Sequence, residues 1–236
     1  MLSENEMTGY APLAEPRTVR LRFGKTGPLQ YISHLDLQRT FGRILARADL
    51  PLWFTQGFNP HPKLVFALPL PIGCESVCEL ADIRIVRDMP CDEIMKRMNA
   101  ASVSSLRFFG CYIPERKFQE IAYAGYTLSF GVSSPEDAER AEKLLSTPPL
   151  YVVKHSKSGD RETDIIPLIK EAGFFYENHE SERRLRCELI LSSSESATLS
   201  PLLVVSAMQR ELGLPADNSY SLTRRELFDE KINYFE

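Results

Sequence analysis

The chain has 236 residues, of which 43% are hydrophobic and 25% charged, and its formal net charge is −4. This composition is ordinary for a soluble globular protein with one large domain or two of about 100 residues each. No apolar run approaches the roughly 18–20 residues that cross a bilayer, and the first residues lack the basic and apolar blocks of a secretion signal.

The first half alternates between strand and helix patterns in the order β-α-β-β-α-β, which is the ferredoxin-like arrangement. Ser33 is a candidate N-cap of the first helix, with Asp36 three residues on as a capping-box-like partner. Leu37, Phe41 and Ile44 follow at helical spacing and predict its buried face. The predicted elements are strands over 18–27, 64–70, 78–86 and 106–113, and helices from Ser33 to about Ala48 and over 91–101.

The second half repeats this outline. A strand over 125–132 precedes a helix that begins at Ser134 and Pro135. A hairpin is predicted over 151–166 around Ser158-Gly159-Asp160, whereas the segment "IPLIKEAGFFY" is compatible with helix or loop. A strand over 183–191, a helix from Ser200 and a last strand near the C-terminus complete the half. We therefore predict an α+β chain: a flexible tail over 1–16, a basic ferredoxin-like half over 17–114 and an acidic one over 125–236.

Charge is distributed unevenly along the chain. Residues 17–63 contain eight basic and two acidic residues, a net charge of +6, so the rest of the chain carries −10. Such asymmetry indicates an anionic partner for the basic segment, although a solvated basic face with no partner has the same composition. The predicted nucleic-acid-binding residues are Arg20, Arg22, Lys25, Arg39, Arg43, Arg47, Phe58, Asn59, His61 and Lys63.

Two stretches carry this prediction. Arg39, Arg43 and Arg47 recur every four residues on one helix face, and guanidinium groups pair with phosphates in a bidentate way. The segment "QGFNPHPK" (56–63) is stiffened by two prolines. Basic groups interleaved with aromatics there suit single-stranded nucleic acid better than duplex. Alternatively, the three arginines form an ordinary solvent-exposed stripe, and the loop over 56–63 has only a structural role.

Other chemistries have weaker support. His34 and His61 are weak catalytic candidates for acid–base cleavage of RNA without a metal. Cys74 and Cys78 have the first spacing of the radical-SAM motif Cys-x₃-Cys-x₂-Cys, but the third position is Ala81. We therefore predict no cofactor and no metal. The five scattered cysteines favour reduced thiols in the cytoplasm.

The pattern "SHLDL…R…GFNPHP…PLP.G", followed by "TDIIPLI", resembles the bacterial family called radical-SAM-linked proteins, over about residues 17–228. Its members are often fused to, or encoded beside, a cobalamin-binding-type radical-SAM protein. The resemblance implies a radical-SAM protein as partner. Together with the basic stretch it gives our expectation of a non-catalytic RNA-binding accessory module with no membrane partner. The alternatives are a metal-independent endoribonuclease using His34 and His61, and a protein-interaction scaffold.

Overall fold

The computed structural model describes residues 9–156, 159–178, 183–214 and 219–235. The chain divides into two compact units, Met1–Phe118 and Gln119–Glu236. Each unit combines helices with antiparallel strands, so the predicted α+β class is confirmed. No helix in the described ranges is both long enough and apolar enough to span a bilayer.

The first unit contains four strands and two α-helices in its described residues. They are β1 (Pro12–Lys25), α1 (His34–Ala48), β2 (Leu64–Phe66), β3 (Glu75–Arg87), α2 (Cys91–Ala101) and β4 (Leu106–Tyr112). β1 pairs antiparallel with both β3 and β4, and β2 pairs antiparallel with the other edge of β3. The strand order within this unit is therefore β4-β1-β3-β2.

The N-terminal tail is shorter than predicted. Residues 12–16, which the sequence places in a flexible tail, form the start of β1, and Pro12 lies opposite Arg87 of β3. Pro12 and Pro16 cannot donate to the strand ladder, and a register shift between Pro12 and Arg17 accommodates this stretch. The remaining part of the predicted tail, residues 1–8, lies outside the described residues.

The core of the first unit lies on one face of its sheet. Val19, Leu21 and Phe23 alternate along β1 and are at most 1% exposed. They belong to one buried cluster with Phe41 and Leu45 of α1. Because successive strand residues point to opposite faces, Arg20 and Arg22 point away from the side that α1 covers.

The second unit repeats the strand order with an added hairpin. Its elements are β5 (Tyr123–Gly131), α3 (Glu136–Ser146), β6 (Tyr151–Ser156), β7 (Gly159–Asp164), β8 (Ile169–Asn178), β9 (Arg183–Ser192), α4 (Pro201–Leu212) and β10 (Tyr220–Phe228). β10, β5, β9 and β8 are neighbours in that order, all antiparallel. β6 and β7 form the predicted hairpin, although Ser158 of its expected turn lies outside the described residues.

Strand β8 is the element that the sequence left open between helix and loop. Its pairing with β9 holds it extended, from Ile169 opposite Leu191 to Asn178 opposite Arg183. A register shift follows Ile169, so the strand starts irregularly. Its residues also show no clean alternation of buried and exposed positions. A long-range partner thus decides the conformation of this segment.

Candidate functional site

Helix α1 begins at a capped N-terminus. Ser33 is the N-cap, and its hydroxyl accepts a hydrogen bond from the backbone N–H of Asp36 at 3.1 Å, as the sequence predicts. The helix ends where Asp49 adopts a left-handed conformation with φ 51°. The buried face carries Leu37, Phe41, Ile44, Leu45 and Ala48. The cap and the buried stripe together fix which side of α1 faces the solvent.

The solvent side carries the arginine row, by which we mean Arg39, Arg43 and Arg47. All three side chains are exposed, and a rise of about 1.5 Å per residue spaces them about 6 Å apart along the axis. Arg39 bonds Asp36 at 3.1 Å. Neither Arg43 nor Arg47 forms a salt bridge or hydrogen bond with any described residue. Two of the three guanidinium groups are therefore available to an anionic ligand.

The carboxylate of Asp36 partly balances the positive charge of the arginine row. Hydrogen bonds from Ser33 and then Arg39 hold the pKa of Asp36 below its usual value, so this carboxylate is charged at neutral pH. Arg39 is accordingly the member of the row whose charge is partly balanced within the protein.

Gly42 lies in the middle of the exposed side of α1. A Cβ atom built on it meets no atom within 4 Å, so packing inside the protein does not require glycine there. Glycine inside a helix costs about 1 kcal/mol relative to alanine. The position therefore leaves an open notch beside Arg39 and Arg43.

The segment after α1 folds into a proline hairpin, by which we mean residues 53–63. The backbone N–H of Thr55 donates to the carbonyl of His61 at 2.9 Å, and Phe54 bridges to Pro62. Phe58 stands near the tip with a fully exposed side chain, at 112% of its reference area. The prediction of a stiff loop that displays its polar groups agrees with the exposure of three of them: Asn59, His61 and Lys63.

The other two aromatics of the hairpin differ in exposure. Phe54 is 47% exposed, whereas Trp53 is half-buried, with the guanidinium of Arg84 5.4 Å from its ring centroid. Trp53 therefore anchors the base of the hairpin, and Phe58 is the aromatic that it presents.

Two oxygens lie near Nδ1 of His61: the carbonyl oxygen of Asn59 at 3.0 Å and the hydroxyl of Thr55 at 3.2 Å. The hydroxyl can donate or accept, but the nearer carbonyl can only accept. We therefore assign the proton of the neutral ring to Nδ1, which donates it to Asn59. The backbone N–H of His61 donates in turn to the hydroxyl of Thr55 at 3.2 Å. Nε2 is then the acceptor of the ring, and it bonds no described residue.

The proline hairpin is joined to the rest of the first unit at both ends. The leg that leaves α1 passes Leu52, which bridges to Ile85 of β3. The returning leg enters β2, where the ring of Phe66 packs 4.9 Å from Phe41 and 5.3 Å from His34, both on α1. The hairpin and the arginine row therefore belong to the same unit.

The predicted cations on β1 do not join this surface. Arg20 is 1% exposed, and its Nε and Nη2 donate to the two carboxylate oxygens of Asp82 at 2.8 and 3.0 Å. The ring of Phe118 covers its guanidinium at 4.0 Å. The prediction that Arg20 is a surface ligand is therefore wrong: its fork is already engaged in the protein interior.

The other two predicted cations on β1 are also buried, one fully and one in part. Lys25 is 1% exposed, and its Nζ lies 3.4 Å from the carbonyl of Gln30. Its predicted role as a surface ligand is wrong for the same reason. Arg22 is half-buried, with the ring of Phe109 5.5 Å from its guanidinium. The cations of β1 and the arginine row consequently do not form one continuous surface.

The two candidate catalytic histidines are held in separate local settings. His34 pairs with Gln38 on α1 at 3.1 Å and packs edge-on against Phe66, whereas His61 is fixed by its own hairpin. No hydrogen bond joins the two rings. In the part of the chain that the structure describes, no group of three or more His, Cys, Asp or Glu residues is placed to hold a metal ion.

Comparison with protein families identifies the chain. Residues 18–201 match the family described as an uncharacterized protein conserved in bacteria (DUF2344), and the protein belongs to this family. The match includes the arginine row and the proline hairpin. A search of curated proteins found no match.

Similar solved structures are distant. A crystal structure of a Cbf5–Nop10–Gar1 complex is 11% identical with a TM-score of 0.42; the match covers 90% of this chain and half of that one. An unknown protein from Galdieria sulphuraria is 10% identical over 89% of this chain and 99% of its own, with a TM-score of 0.22. A DypB variant from Rhodococcus jostii RHA1 in complex with heme is 14% identical over 92% and 95%, with a TM-score of 0.20. At these scores none of the three informs the function.

Proposed function

We propose that the protein is a non-catalytic RNA-binding module, and that the arginine row and the proline hairpin form its RNA-binding surface. The observation that carries the proposal is the exposure of Arg43 and Arg47 without a partner among the described residues, in the same unit as a hairpin that presents Phe58. Guanidinium groups bind phosphates in a bidentate way. Exposed aromatics provide a stacking platform for bases.

The proposed setting is a cytoplasmic complex with a radical-SAM protein that modifies or processes the bound RNA. The resemblance to radical-SAM-linked proteins supports this partner. Free thiols at all five cysteines are in keeping with a reducing compartment. The third position of a cluster motif is Ala81, so the cluster chemistry is assigned to the partner.

We also propose that each unit is a ferredoxin-like domain, so that the chain is a tandem pair. The orders β4-β1-β3-β2 and β10-β5-β9-β8 support this, because both place the first and third strands of the unit in the middle of an antiparallel sheet. The hairpin β6–β7 is then an insertion into the second domain.

The decisive experiment measures RNA affinity against salt concentration for the Arg43→Ala/Arg47→Ala variant. Each phosphate contact contributes about 0.7 to the logarithmic salt slope for a single strand, so loss of two contacts should reduce the slope by about 1.4. Alanine is at least as good a helix former as arginine, so α1 should remain folded. An unchanged affinity and slope would remove the proposal.

A matched control removes two exposed arginines of the second unit, Arg161→Ala/Arg225→Ala. It changes the net charge by the same amount and should leave the slope near that of the wild type. If both variants reduce the slope equally, the effect belongs to net charge and not to the arginine row.

Two further readouts separate the alternatives. Bound RNA should stay intact on long incubation in chelator; cleavage that His61→Ala abolishes would instead indicate an endoribonuclease. In a pull-down from native lysate, an RNA-dependent complex should be lost on nuclease treatment. A partner that survives nuclease and binds the second unit would favour a scaffold.

A further inference from the structure

Resting on the proposed function, the geometry of the proline hairpin points to a more specific ligand. We propose that its tip holds one unpaired RNA base, stacked on Phe58, and that His61 Nε2 accepts a hydrogen bond from the amino group of that base. The preferred ligand is then RNA with an unpaired adenine or cytosine, and uracil is disfavoured at the same position.

Phe58 supplies the stacking surface. Its side chain is fully exposed, and the backbone bond between Thr55 and His61 closes the hairpin behind it. Sequence-specific recognition of RNA targets single-stranded loops and ends, whose bases can be splayed onto aromatic rings. Bases paired in an A-form duplex are stacked on one another and cannot reach the ring.

His61 supplies the discrimination. Donation from Nδ1 to the carbonyl of Asn59 leaves Nε2 as an acceptor. Adenine and cytosine offer amino donors at N6 and N4, whereas uracil has an acceptor, O4, at the corresponding position. Uracil can donate only from its imino N3–H, and the two carbonyl oxygens that flank this group repel the lone pair of Nε2 and weaken the hydrogen bond. A fixed acceptor thus favours adenine and cytosine over uracil.

The hairpin itself keeps this acceptor in place. Pro60 and Pro62 restrict the backbone on both sides of His61, and the hydroxyl of Thr55 holds the backbone N–H of His61. The ring is therefore oriented before any ligand arrives, so little ordering is needed on binding.

The experiment uses RNA hairpins with one stem sequence and loops of adenine, cytosine or uracil, together with a fully paired duplex of equal length. Fluorescence anisotropy at fixed salt gives the affinities of the full-length protein. Adenine and cytosine loops should bind about 3- to 10-fold more tightly than uracil loops, the contribution of one hydrogen bond. Replacing one loop adenine by inosine, which carries a carbonyl in place of the amino group, should remove this advantage at the stacked position.

Variants at two positions test the two roles. Phe58→Ala should weaken loop binding about 5- to 100-fold, the effect of removing one stacked base, whereas Phe58→Trp should preserve it. His61→Asn keeps a donor near the Nδ1 position and removes the Nε2 acceptor, so it should abolish the preference for adenine over uracil. Circular dichroism and the thermal midpoint check the fold; Phe58 buries nothing, so its variants should melt like the wild type.

The outcomes are distinguishable. Equal affinity for all loops and for the duplex, with the Arg43/Arg47 effect intact, would overturn the base-binding inference and leave the RNA-binding proposal standing. An adenine preference that persists in His61→Asn would overturn the assignment of Nε2. If the Arg43→Ala/Arg47→Ala variant also binds RNA like the wild type, the proposed function itself is overturned.

Discussion

Replacing Gly42 by glutamate tests the arginine row without weakening α1. Glycine is about 1 kcal/mol less favourable than alanine inside a helix, while glutamate and glutamine lie within a few tenths of alanine. A new side chain at this position meets no atom within 4 Å at its Cβ. Gly42→Glu and Gly42→Gln should therefore each raise the free energy of unfolding by about 0.5–0.8 kcal/mol.

The effects of the two variants on RNA binding should differ. A carboxylate about 6 Å from a bound phosphate is repelled by about 0.7 kcal/mol in the dielectric of water. Physiological salt screens this roughly by half. With two phosphates, one beside Arg39 and one beside Arg43, the binding free energy becomes less favourable by about 0.7 kcal/mol with screening and about 1.4 kcal/mol without it. This corresponds to a Kd that is about 3- to 10-fold higher. Gly42→Gln adds the same bulk without charge and separates crowding from repulsion.

The assay pairs urea denaturation with anisotropy titrations at several salt concentrations. The expected result is a more stable Gly42→Glu protein that binds RNA more weakly, most clearly at low salt. Since stability and binding move in opposite directions, misfolding cannot account for it. Equal affinities of the glutamate and glutamine variants would refute the placement of phosphates along α1.

Three further predictions concern stability. Asp82→Asn removes the counter-charge of the buried Arg20 and should lower the free energy of unfolding by about 3 kcal/mol in urea denaturation; a loss below about 1 kcal/mol would contradict the buried pair. Ser33→Ala removes the acceptor of the Asp36 amide and should cost about 1 kcal/mol, whereas Ser104→Ala, at an exposed position, should cost almost nothing. Burial raises the pKa of Cys187 from 9.0 to about 12; the unfolded thiol ionises first, so stability should fall as pH rises above about 9, and Cys187→Ala should flatten this part of the pH–stability curve.

Local signals in the sequence were sufficient for the helices of the first unit. The Ser33 cap and the apolar stripe of α1 predict its start and its buried face, both of which the structure confirms. The bounds predicted for α2, residues 91–101, agree with those observed. Helices depend mainly on contacts between residues three or four positions apart, so a single segment carries most of the information.

Features that depend on strand pairing could not be predicted in the same way. The burial of Arg20 follows from its register opposite Asp82, 62 positions away. A basic strand residue looks the same in the sequence whether it faces solvent or a carboxylate. The alternation of β1 does separate Arg20 and Arg22 from the α1 side, and this signal was present in the sequence. The tautomer of His61 required the hairpin that brings Asn59 and Thr55 to its ring.

The placement of hairpins is common to the two units. In the first, the proline hairpin lies between α1 and β2; in the second, β6–β7 lies between α3 and β8, the corresponding connection. The connection between the first α-helix of the unit and the next strand of its sheet thus carries a hairpin in both units. In the first unit the hairpin contains prolines and exposed aromatics, and in the second it is a regular two-stranded ribbon. The length and composition of this connection can therefore change while the strand order that supports it stays as it is.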